Sequence, residues 1–348
     1  MKTTELIDLL RKMVAVPSFS REEGAVADLI QKWLLEHGLH PERFGNNLWL
    51  DSSPSSDKPV ILLNGHIDTV KPAESYTRDP FSADVENGCI YGLGTNDDGA
   101  SVVSLLGAYL QLIGKPQPFR LVWSATAEEE VGGKGGVESI LSEFGSISLG
   151  IVGEPTGMRM AVAERGLIVL DCTVHGTTGH AAVGSGENAI YKALEDIEWF
   201  MSFHFDKVSE YLGEVRMTVT MVSAGSQHNV IPDECRFVVD VRPNGLYSNE
   251  EIVDTIRRNV SCDVVPRSMK HNGSHIDVTH PVVARGVSLG LEGFGSPTSS
   301  NQAFMPFPTL KIGPGDSSRS HSADEYVRIS EIEEAMDLYV RLLDGLAL

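Results

Sequence analysis

Short apolar runs alternate with helical patterns over residues 1–165 of the chain. The run from Val60 to Leu63 is closed by Asn64-Gly65 and predicts an inner strand. Runs within "FRLVWSATAEEE" and "SLGIVGEPT" predict two more strands, each followed by a carboxylate. A helical pattern begins after Asp98, between the first and second of these runs. Strands that alternate with helices predict an α/β fold, a mixed and mainly parallel sheet with helices on both faces.

The pattern changes after about Gly166. Three strand patterns, "GLIVLDCTVHG", "VRMTVTMVSAG" and "ECRFVVDVRP", combine with helical patterns over 187–203 and 249–262. This β-α-β-β-α order suits a small ferredoxin-like α+β sandwich. The earlier helix and strand patterns return after about Asp277. The sequence therefore predicts a larger α/β domain, residues 1–165 and 277–348, interrupted by a smaller domain, residues 166–276.

Several helices carry more detailed signals. Capping boxes at Ser20-Arg21-Glu22-Glu23 and Ser330-Glu331-Ile332-Glu333 predict that helices begin there. In the helix over 187–203 the apolar residues that stand in helical register are Ile190, Leu194, Ile197 and Met201.

Composition and charge narrow the range of partners. A chain of 348 residues with 41% hydrophobic and 22% charged residues is typical of a globular enzyme. The formal net charge of −20 argues against nucleic acid and anionic membranes as partners. The first twenty residues lack the apolar core of a signal peptide, so we expect a cytoplasmic protein. The four cysteines form no C-x-x-C pair, which indicates neither a zinc knuckle nor a disulfide framework.

Acidic and histidine side chains follow several predicted strands, where open α/β sheets usually bind ligands. Each segment alone is typical of a helix N-terminus or a solvated loop. Three glutamates at the end of one buried strand, however, repel each other unless cations neutralise them. Two histidines with several carboxylates can hold two metal ions about 3.5–4 Å apart, with a spare glutamate to take a proton from a bridging water. The segments are "NGHIDTV" (64–70), "GLGTNDDGA" (92–100), "TAEEEVGG" (126–133), "IVGEPT" (151–156) and "GPGDSSRSHSADEY" (313–326).

Other active-site motifs do not match. Gly92-Leu93-Gly94 lacks the third glycine of a dinucleotide fingerprint, and "GGKGG" lacks the Walker A spacing. No G-x-S-x-G elbow of a serine hydrolase is present.

Together with "HGTTGHAA" (175–182) and "HNVIP" (228–232), these segments resemble, in order, the motifs of the M20 family of zinc-dependent metallopeptidases and amidohydrolases. The resemblance spans nearly the whole chain. "GLGT-x-D" and "GPGD…H" are most similar to the branch of acetylornithine deacetylase, acetyllysine deacetylase and succinyl-diaminopimelate desuccinylase. The resemblance implies a zinc-exopeptidase-like catalytic domain and an inserted lid and dimerisation domain, through which a homodimer forms.

The resemblance also implies a ligand set for two divalent metal ions, with Zn²⁺ expected and Co²⁺ or Mn²⁺ left open. One ion would be held by His66, Asp97 and Glu154. The other would be held by Asp97, Glu130 and His321, so that Asp97 bridges.

The bridging residue could be either Asp97 or Asp98, because two acids stand next to each other at this position. Many relatives read D-M-K-G where this chain has Asp97-Asp98-Gly99-Ala100. We prefer Asp97 because it keeps the G-T-x-D spacing, and the resemblance implies a cis peptide bond after it. The same comparison selects Glu129 and Glu130 rather than Glu128.

The remaining implied roles concern proton transfer and substrate. Glu129 would be the general base that activates the metal-bridging water, and Asp68 would orient His66. His180 would stabilise the oxyanion of the tetrahedral intermediate, either in the active site of its own chain or in that of a partner subunit. Positions that match substrate-side residues of relatives are Arg165, Asn229 and Arg242.

These implications lead to an expected activity. We expect metal-dependent hydrolysis of the amide bond of a small N-acyl amino acid, releasing an amino acid such as ornithine, citrulline or lysine, as in arginine biosynthesis. A dipeptidase or aminopeptidase of the same family is the alternative. A catalytically inactive, ligand-binding relative is a third reading, against which the presence of Glu129 argues. The acyl group and the amino acid stay open.

Overall fold

The computed structural model describes residues 2–348, which form two compact units. The first comprises residues 2–162 with Ile276–Phe294 and Ser300–Leu348. The second comprises Ala163–His275 and Gly295–Ser299, so it begins slightly before the insertion predicted at 166–276 and includes a later short segment. None of the helices described for residues 2–348 has the length and apolar character of a membrane span.

The regular elements follow one another in mixed order along the chain. The helices are α1 (Thr3–Val14), α2 (Gly24–Glu36), α3 (Ala100–Leu112), α4 (Ala189–Ser202), α5 (Asn249–Asn259), α6 (Pro281–Ser288) and α7 (Ile329–Leu343). The first strands are β1 (Glu42–Phe44), β2 (Asn47–Asp51), β3 (Val60–His66), β4 (Val85–Glu86), β5 (Cys89–Tyr91), β6 (Arg120–Thr126), β7 (Ile147–Val152), β8 (Met160–Glu164) and β9 (Ile168–His175). The later strands are β10 (Gly179–His180), β11 (Arg216–Ala224), β12 (Val230–Ile231), β13 (Glu234–Arg242), β14 (Asp263–Pro266), β15 (Ser274–His275), β16 (Gly293–Ser296), β17 (Thr309–Lys311) and β18 (Tyr326–Arg328).

The first unit is built on a mixed sheet in the order β1-β2-β6-β3-β7-β17-β8. Its four central strands, β6, β3, β7 and β17, pair in parallel, while β1, β2 and β8 pair antiparallel at the sides. The predicted mixed, mainly parallel sheet is confirmed. Because the central strands are parallel, the chain leaves them all at one edge. His66 lies opposite Thr126 and Asn64 lies opposite Val152, so the acid-bearing segments begin side by side.

Both faces of this sheet are covered. Every residue of β3 is buried, as expected for an inner strand of a parallel sheet. On one face Val60 and Leu62 pack with Val137 and Phe144, which lie on short 3₁₀ turns. On the other face α3 passes close to Gly65: a Cβ atom there would stand 2.9 Å from a methyl carbon of Val102. The glycine is therefore required for α3 to approach the end of β3.

The predicted capping boxes are wrong in detail. Helix α2 begins at Gly24 with Glu23 as its N-cap, and the Ser20 hydroxyl donates instead to Asp68. Helix α7 begins at Ile329 with Arg328 as its N-cap. The box predicted for α2 does not form because both of its side chains have partners far along the chain: Ser20 donates to Asp68, and Glu23 accepts from Asn46.

The second unit contains a four-stranded antiparallel sheet in the order β11-β13-β9-β14. Alternate residues of β9 and β13 are buried, and they form a core with the inner sides of α4 and α5. The order β9-α4-β11-β13-α5-β14 is a β-α-β-β-α-β arrangement of ferredoxin-like type.

Most of the apolar residues that stand in helical register in the sequence of α4 are exposed. Its buried residues are Ala189, Ala193, Asp196 and Phe200. Its exposed apolar residues are Ile190 at 37%, Tyr191 at 70%, Leu194 at 57% and Met201 at 78% relative accessibility. The edge strand β11 likewise exposes Met221 and Val222. Helical register of this kind is typical of a core-facing stripe, yet here most of the stripe faces outward.

We predict that Gly65→Ala destabilises the metal-free protein by about 1–3 kcal/mol, because the added methyl group overpacks the contact between β3 and α3. Gly24→Ala is the matched control: Gly24 is the first residue of α2, and the nearest atom to an added Cβ is 3.7 Å away. Denaturant unfolding in the presence of a chelator measures both variants. Equal stability of the two would contradict the close approach at Gly65.

Candidate metal centre

His66 is the last residue of β3 and has 2% of its side chain exposed. Its Nδ1 lies 2.9 Å from the carbonyl oxygen of Asp68, an atom that only accepts hydrogen bonds, so Nδ1 carries a proton. Neutral His66 therefore directs the lone pair of Nε2 toward Oδ1 of Asp97, 3.1 Å away. Two lone pairs that face each other require a proton or a metal cation between them.

Asp97 lies between the two predicted histidine ligands. One carboxylate oxygen faces His66, and the other lies 3.7 Å from Nε2 of His321. His321 is also 3.0 Å from Oε1 of Glu130. A carboxylate with one oxygen directed to each ring has the geometry that a bridging ligand needs.

Two groups of side chains bring ligand atoms within 4.8 Å of one another, and both contain His66. One group adds Asp97 and Glu130, and the other adds Glu129 and Glu154. The structure thus gathers all five predicted metal ligands and the predicted general base at the carboxyl edge of the sheet.

The electrostatics of this cluster are those of crowded carboxylates. Burial raises the pKa of Glu129 well above its usual value, and Glu154, Glu130 and Asp97 add to the effect against the influence of His66. Burial lowers the pKa of His66, but hydrogen bonds with Asp68 and Asp97 outweigh it and leave the pKa well above its usual value. The hydrogen bond to Glu130 raises the pKa of His321 to about 9. The site therefore favours bound positive charge, whether protons or cations.

Asp68 has a wider role than the predicted one. Its side chain is fully buried, and Oδ1 lies 3.4 Å from Nδ1 of His66. The same carboxylate accepts hydrogen bonds from the backbone N–H groups of Glu129 at 2.9 Å and Glu130 at 3.1 Å, and from the Ser20 hydroxyl at 2.8 Å. Asp68 consequently anchors the turn that carries both glutamates as well as facing His66.

Glu128 turns away from this cluster. Its φ of 56° lies in the left-handed region, its N–H donates to Glu23, and its carboxylate accepts from the N–H of Gly135. The first of the three adjacent glutamates therefore shapes the loop, whereas Glu129 and Glu130 face the centre.

Asp98 lies behind the centre. It is buried, and its Oδ2 accepts from the N–H of His66 at 3.1 Å. The peptide bond between Asp97 and Asp98 is cis. Only Asp97 of this pair faces the two histidine rings.

The second unit brings two predicted residues together. His180 on β10 pairs with Val230 on β12, and the N–H of Ala181 donates to the carbonyl of Asn229, so His180 and Asn229 are neighbours and both are exposed.

The two predicted substrate-side arginines are engaged elsewhere. The guanidinium of Arg165 is buried and donates to the carbonyl oxygens of Leu212, Glu214 and Arg242. The guanidinium of Arg242 pairs with Asp240.

Three contacts of the centre were missed by sequence reasoning. Ser20 binds Asp68, as described above, while Asn96 and Glu325 contact the chain around Asp97 and His321. Asn96 and Glu325 lie inside the segments singled out for their acids and histidine. Their position close to a predicted ligand in the sequence is the feature that could have identified them. No feature of the sequence indicated that Ser20 would bind Asp68, because this contact depends on the fold.

Residues 62–345 match peptidase family M20/M25/M40, and the chain belongs to this family. The predicted family is confirmed. The protein is an enzyme, a hydrolase of amide bonds. Family M20 is metal-dependent, and the two groups of side chains around His66 can hold metal ions.

Curated relatives align over almost the full chain. Succinyl-diaminopimelate desuccinylase 2 of Ruegeria sp. (strain TM1040) is 25% identical, with 97% of this chain and 94% of the relative covered. A succinyl-diaminopimelate desuccinylase of Cereibacter sphaeroides is 27% identical, with 97% of each chain covered.

Solved structures share the fold at lower identity. Aminopeptidase PepT of Bacillus cereus superposes with a TM-score of 0.77 at 18% identity, over 99% of each chain. The YXEP protein of Bacillus subtilis, a dinuclear metal-binding peptidase of family M20, superposes with a TM-score of 0.73 at 16% identity, over 99% of each chain.

Proposed function

We propose that the protein hydrolyses the amide bond of an N-acyl amino acid and releases a carboxylic acid and a free amino acid. The observation that carries this proposal is the Asp97 carboxylate between His66 and His321, with Glu129 held beside it as an additional acid. The desuccinylases that align over nearly the whole chain support the substrate class.

The donor set fits two divalent cations. Imidazole and carboxylate ligands suit Zn²⁺, and they also suit Co²⁺ and Mn²⁺. We assign His66, Asp97 and Glu154 to one ion and Asp97, Glu130 and His321 to the other. When bound, the ions lower the pKa of a water and polarise the substrate carbonyl.

Glu129 moves the proton in this proposal. Its carboxylate takes a proton from the attacking water as the oxygen bonds to the carbonyl carbon, and it then delivers the proton to the leaving nitrogen as the C–N bond breaks. Asp68 holds the backbone N–H of Glu129 and so fixes the starting point of this side chain.

His180 is our assigned donor to the oxyanion. Its Nδ1 accepts a hydrogen bond from the N–H of Ala182 at 3.1 Å, so the neutral ring carries its proton on Nε2. That proton can be donated to a developing negative charge without prior protonation of the ring. Among the three substrate-side candidates, Asn229 fits best, because it is exposed beside His180 while Arg165 and Arg242 are engaged by other groups.

We further propose that the second unit is both a lid and the contact of a homodimer. The exposed stripe of α4 and the exposed side chains of the edge strand β11 provide an apolar surface on this unit. A sheet edge and an apolar helix face are covered most simply by the same surface of a second copy.

A hydrolysis screen tests the proposed substrate class. We expect turnover of one or more members of a panel of N-acetyl and N-succinyl derivatives of ornithine, citrulline, lysine and diaminopimelate. A dipeptide panel is measured in parallel. Turnover confined to dipeptides would assign the chain to the peptidase alternative.

Substitutions separate the roles of the two central glutamates. Glu129→Gln is expected to keep metal content near that of the wild type while turnover falls by about 100-fold or more, because the base is lost. Glu130→Gln is expected to lower metal content, because a ligand is lost. Elemental analysis and steady-state rates measure both, and the reverse pattern would show that the two roles are exchanged.

A mixed dimer tests His180. His180→Ala alone is expected to lower turnover by about 10²–10³-fold without loss of metal, as for removal of one oxyanion donor. Chains with His180→Ala are then combined with chains with Glu129→Gln. If His180 acts across subunits, the heterodimer regains activity over either parent, since one of its two sites has both groups. Without that gain in a verified heterodimer, action across subunits is excluded.

A further inference from the structure

Asp97 and His321 both lie outside the α-helices and strands. Asp97 has φ −125° and ψ 92°, a non-helical conformation before α3. His321 has φ 56° and leaves 53% of its side chain exposed, so packing restrains it little. The separation of these two predicted ligands therefore depends on contacts between their segments.

Asn96 provides the first contact. It is completely buried, and its side-chain amide pairs with the backbone of Asp316 in both directions: Oδ1 accepts from the N–H at 2.9 Å and Nδ2 donates to the carbonyl at 3.1 Å. Nδ2 also lies 3.2 Å from the hydroxyl of Ser320, which contacts the Asp97 carboxylate. One side chain thus joins the residue before Asp97 to the residue before His321.

Gly315 shows how closely the two segments approach. It adopts φ 86°, and a Cβ atom there would collide with Oδ1 of Asn96. The second glycine of "GPGD" therefore makes room for the Asn96 amide.

Glu325 provides the second contact, on the other side of His321. It is 2% exposed, and its Oε1 accepts from the backbone N–H of Asn96 at 2.8 Å and of Asp97 at 3.0 Å. Its own carbonyl accepts from the N–H of Gly92 at 2.9 Å. The segment around His321 is consequently tied to the segment around Asp97 at both of its ends.

We propose that Asn96 and Glu325 are positioning residues that hold His321 at a fixed distance from Asp97 and thereby set the affinity of the metal ion on the His321 side. This inference rests on the proposed metal centre. Neither side chain is assigned as a ligand. Each acts through hydrogen bonds to the chain that carries one.

Zinc titration of the metal-free protein against a chromophoric chelator tests the proposal with Zn²⁺ alone as the probe. Wild type is expected to bind two equivalents, and His321→Ala is expected to lose the tight binding of one. Asn96→Ala and Glu325→Ala are expected to weaken one equivalent by about 10- to 100-fold, the usual range for groups that orient ligands, and to leave the other within a few-fold.

Conservative and matched variants separate positioning from other effects. Glu325→Gln keeps a side-chain oxygen that accepts N–H bonds, so it is expected to restore affinity to within a few-fold of wild type. Asn244→Ala removes a buried amide of the second unit that also bonds backbone groups, and Asp196→Asn alters a buried carboxyl that accepts from Ser261. Both are expected to leave the binding of Zn²⁺ unchanged, and chelator-treated unfolding curves record the structural cost of every variant.

The outcomes distinguish this inference from the proposed centre. If wild type binds fewer than two equivalents, or His321→Ala loses neither, the proposed centre fails and the inference fails with it. If those two results hold while Asn96→Ala binds as wild type does, or while Glu325→Gln is as weak as Glu325→Ala, positioning is overturned and the centre stands. Should Asn96→Ala not fold, Ser320→Ala removes the hydroxyl that bonds Asn96 and contacts the Asp97 carboxylate. It is expected to weaken the same equivalent, and unchanged binding there would count against the proposal.

Discussion

The concentration of negative charge at one edge of a parallel sheet is the constraint on which this structure depends. Parallel β3, β6 and β7 end side by side, so the acids that follow them meet around His66. Nε2 of His66 and an oxygen of Asp97 lie 3.1 Å apart. Such an arrangement persists only with positive charge between the two atoms, and metal cations supply it in a metal-dependent family.

The surrounding residues hold this charged cluster by its backbone. Asp68 binds the N–H groups of Glu129 and Glu130, and Glu325 binds those of Asn96 and Asp97. Buried carboxylates that accept backbone N–H bonds restrain turns where no helix or strand does so. Two buried acids, Asp68 and Glu325, thereby restrain the backbone of the residues that face the candidate metal centre.

The second unit has a different physical problem. Its antiparallel sheet buries one face against α4 and α5, which satisfies the core, but the stripe of α4 with Leu194 and Met201 and the edge strand β11 keep apolar side chains exposed. Water is a poor environment for such a surface, and a second copy of the chain is the proposed cover. In the same unit, the pairing of β10 with β12 brings His180 and Asn229 together.

The sequence by itself determined the fold class and the family, because strand and helix periodicity and seven ordered motifs are local properties of the chain. It also singled out the segments that the sheet gathers. The family resemblance had already selected Asp97, Glu129 and Glu130 among the adjacent acids. Only the tertiary structure decided what the neighbouring residues do: Glu128 turns into its loop, Asp98 lies behind His66, and Ser20 binds Asp68 instead of capping α2. The physical reason is that burial and hydrogen-bond partners depend on residues far apart in the chain, which spacing along it does not encode.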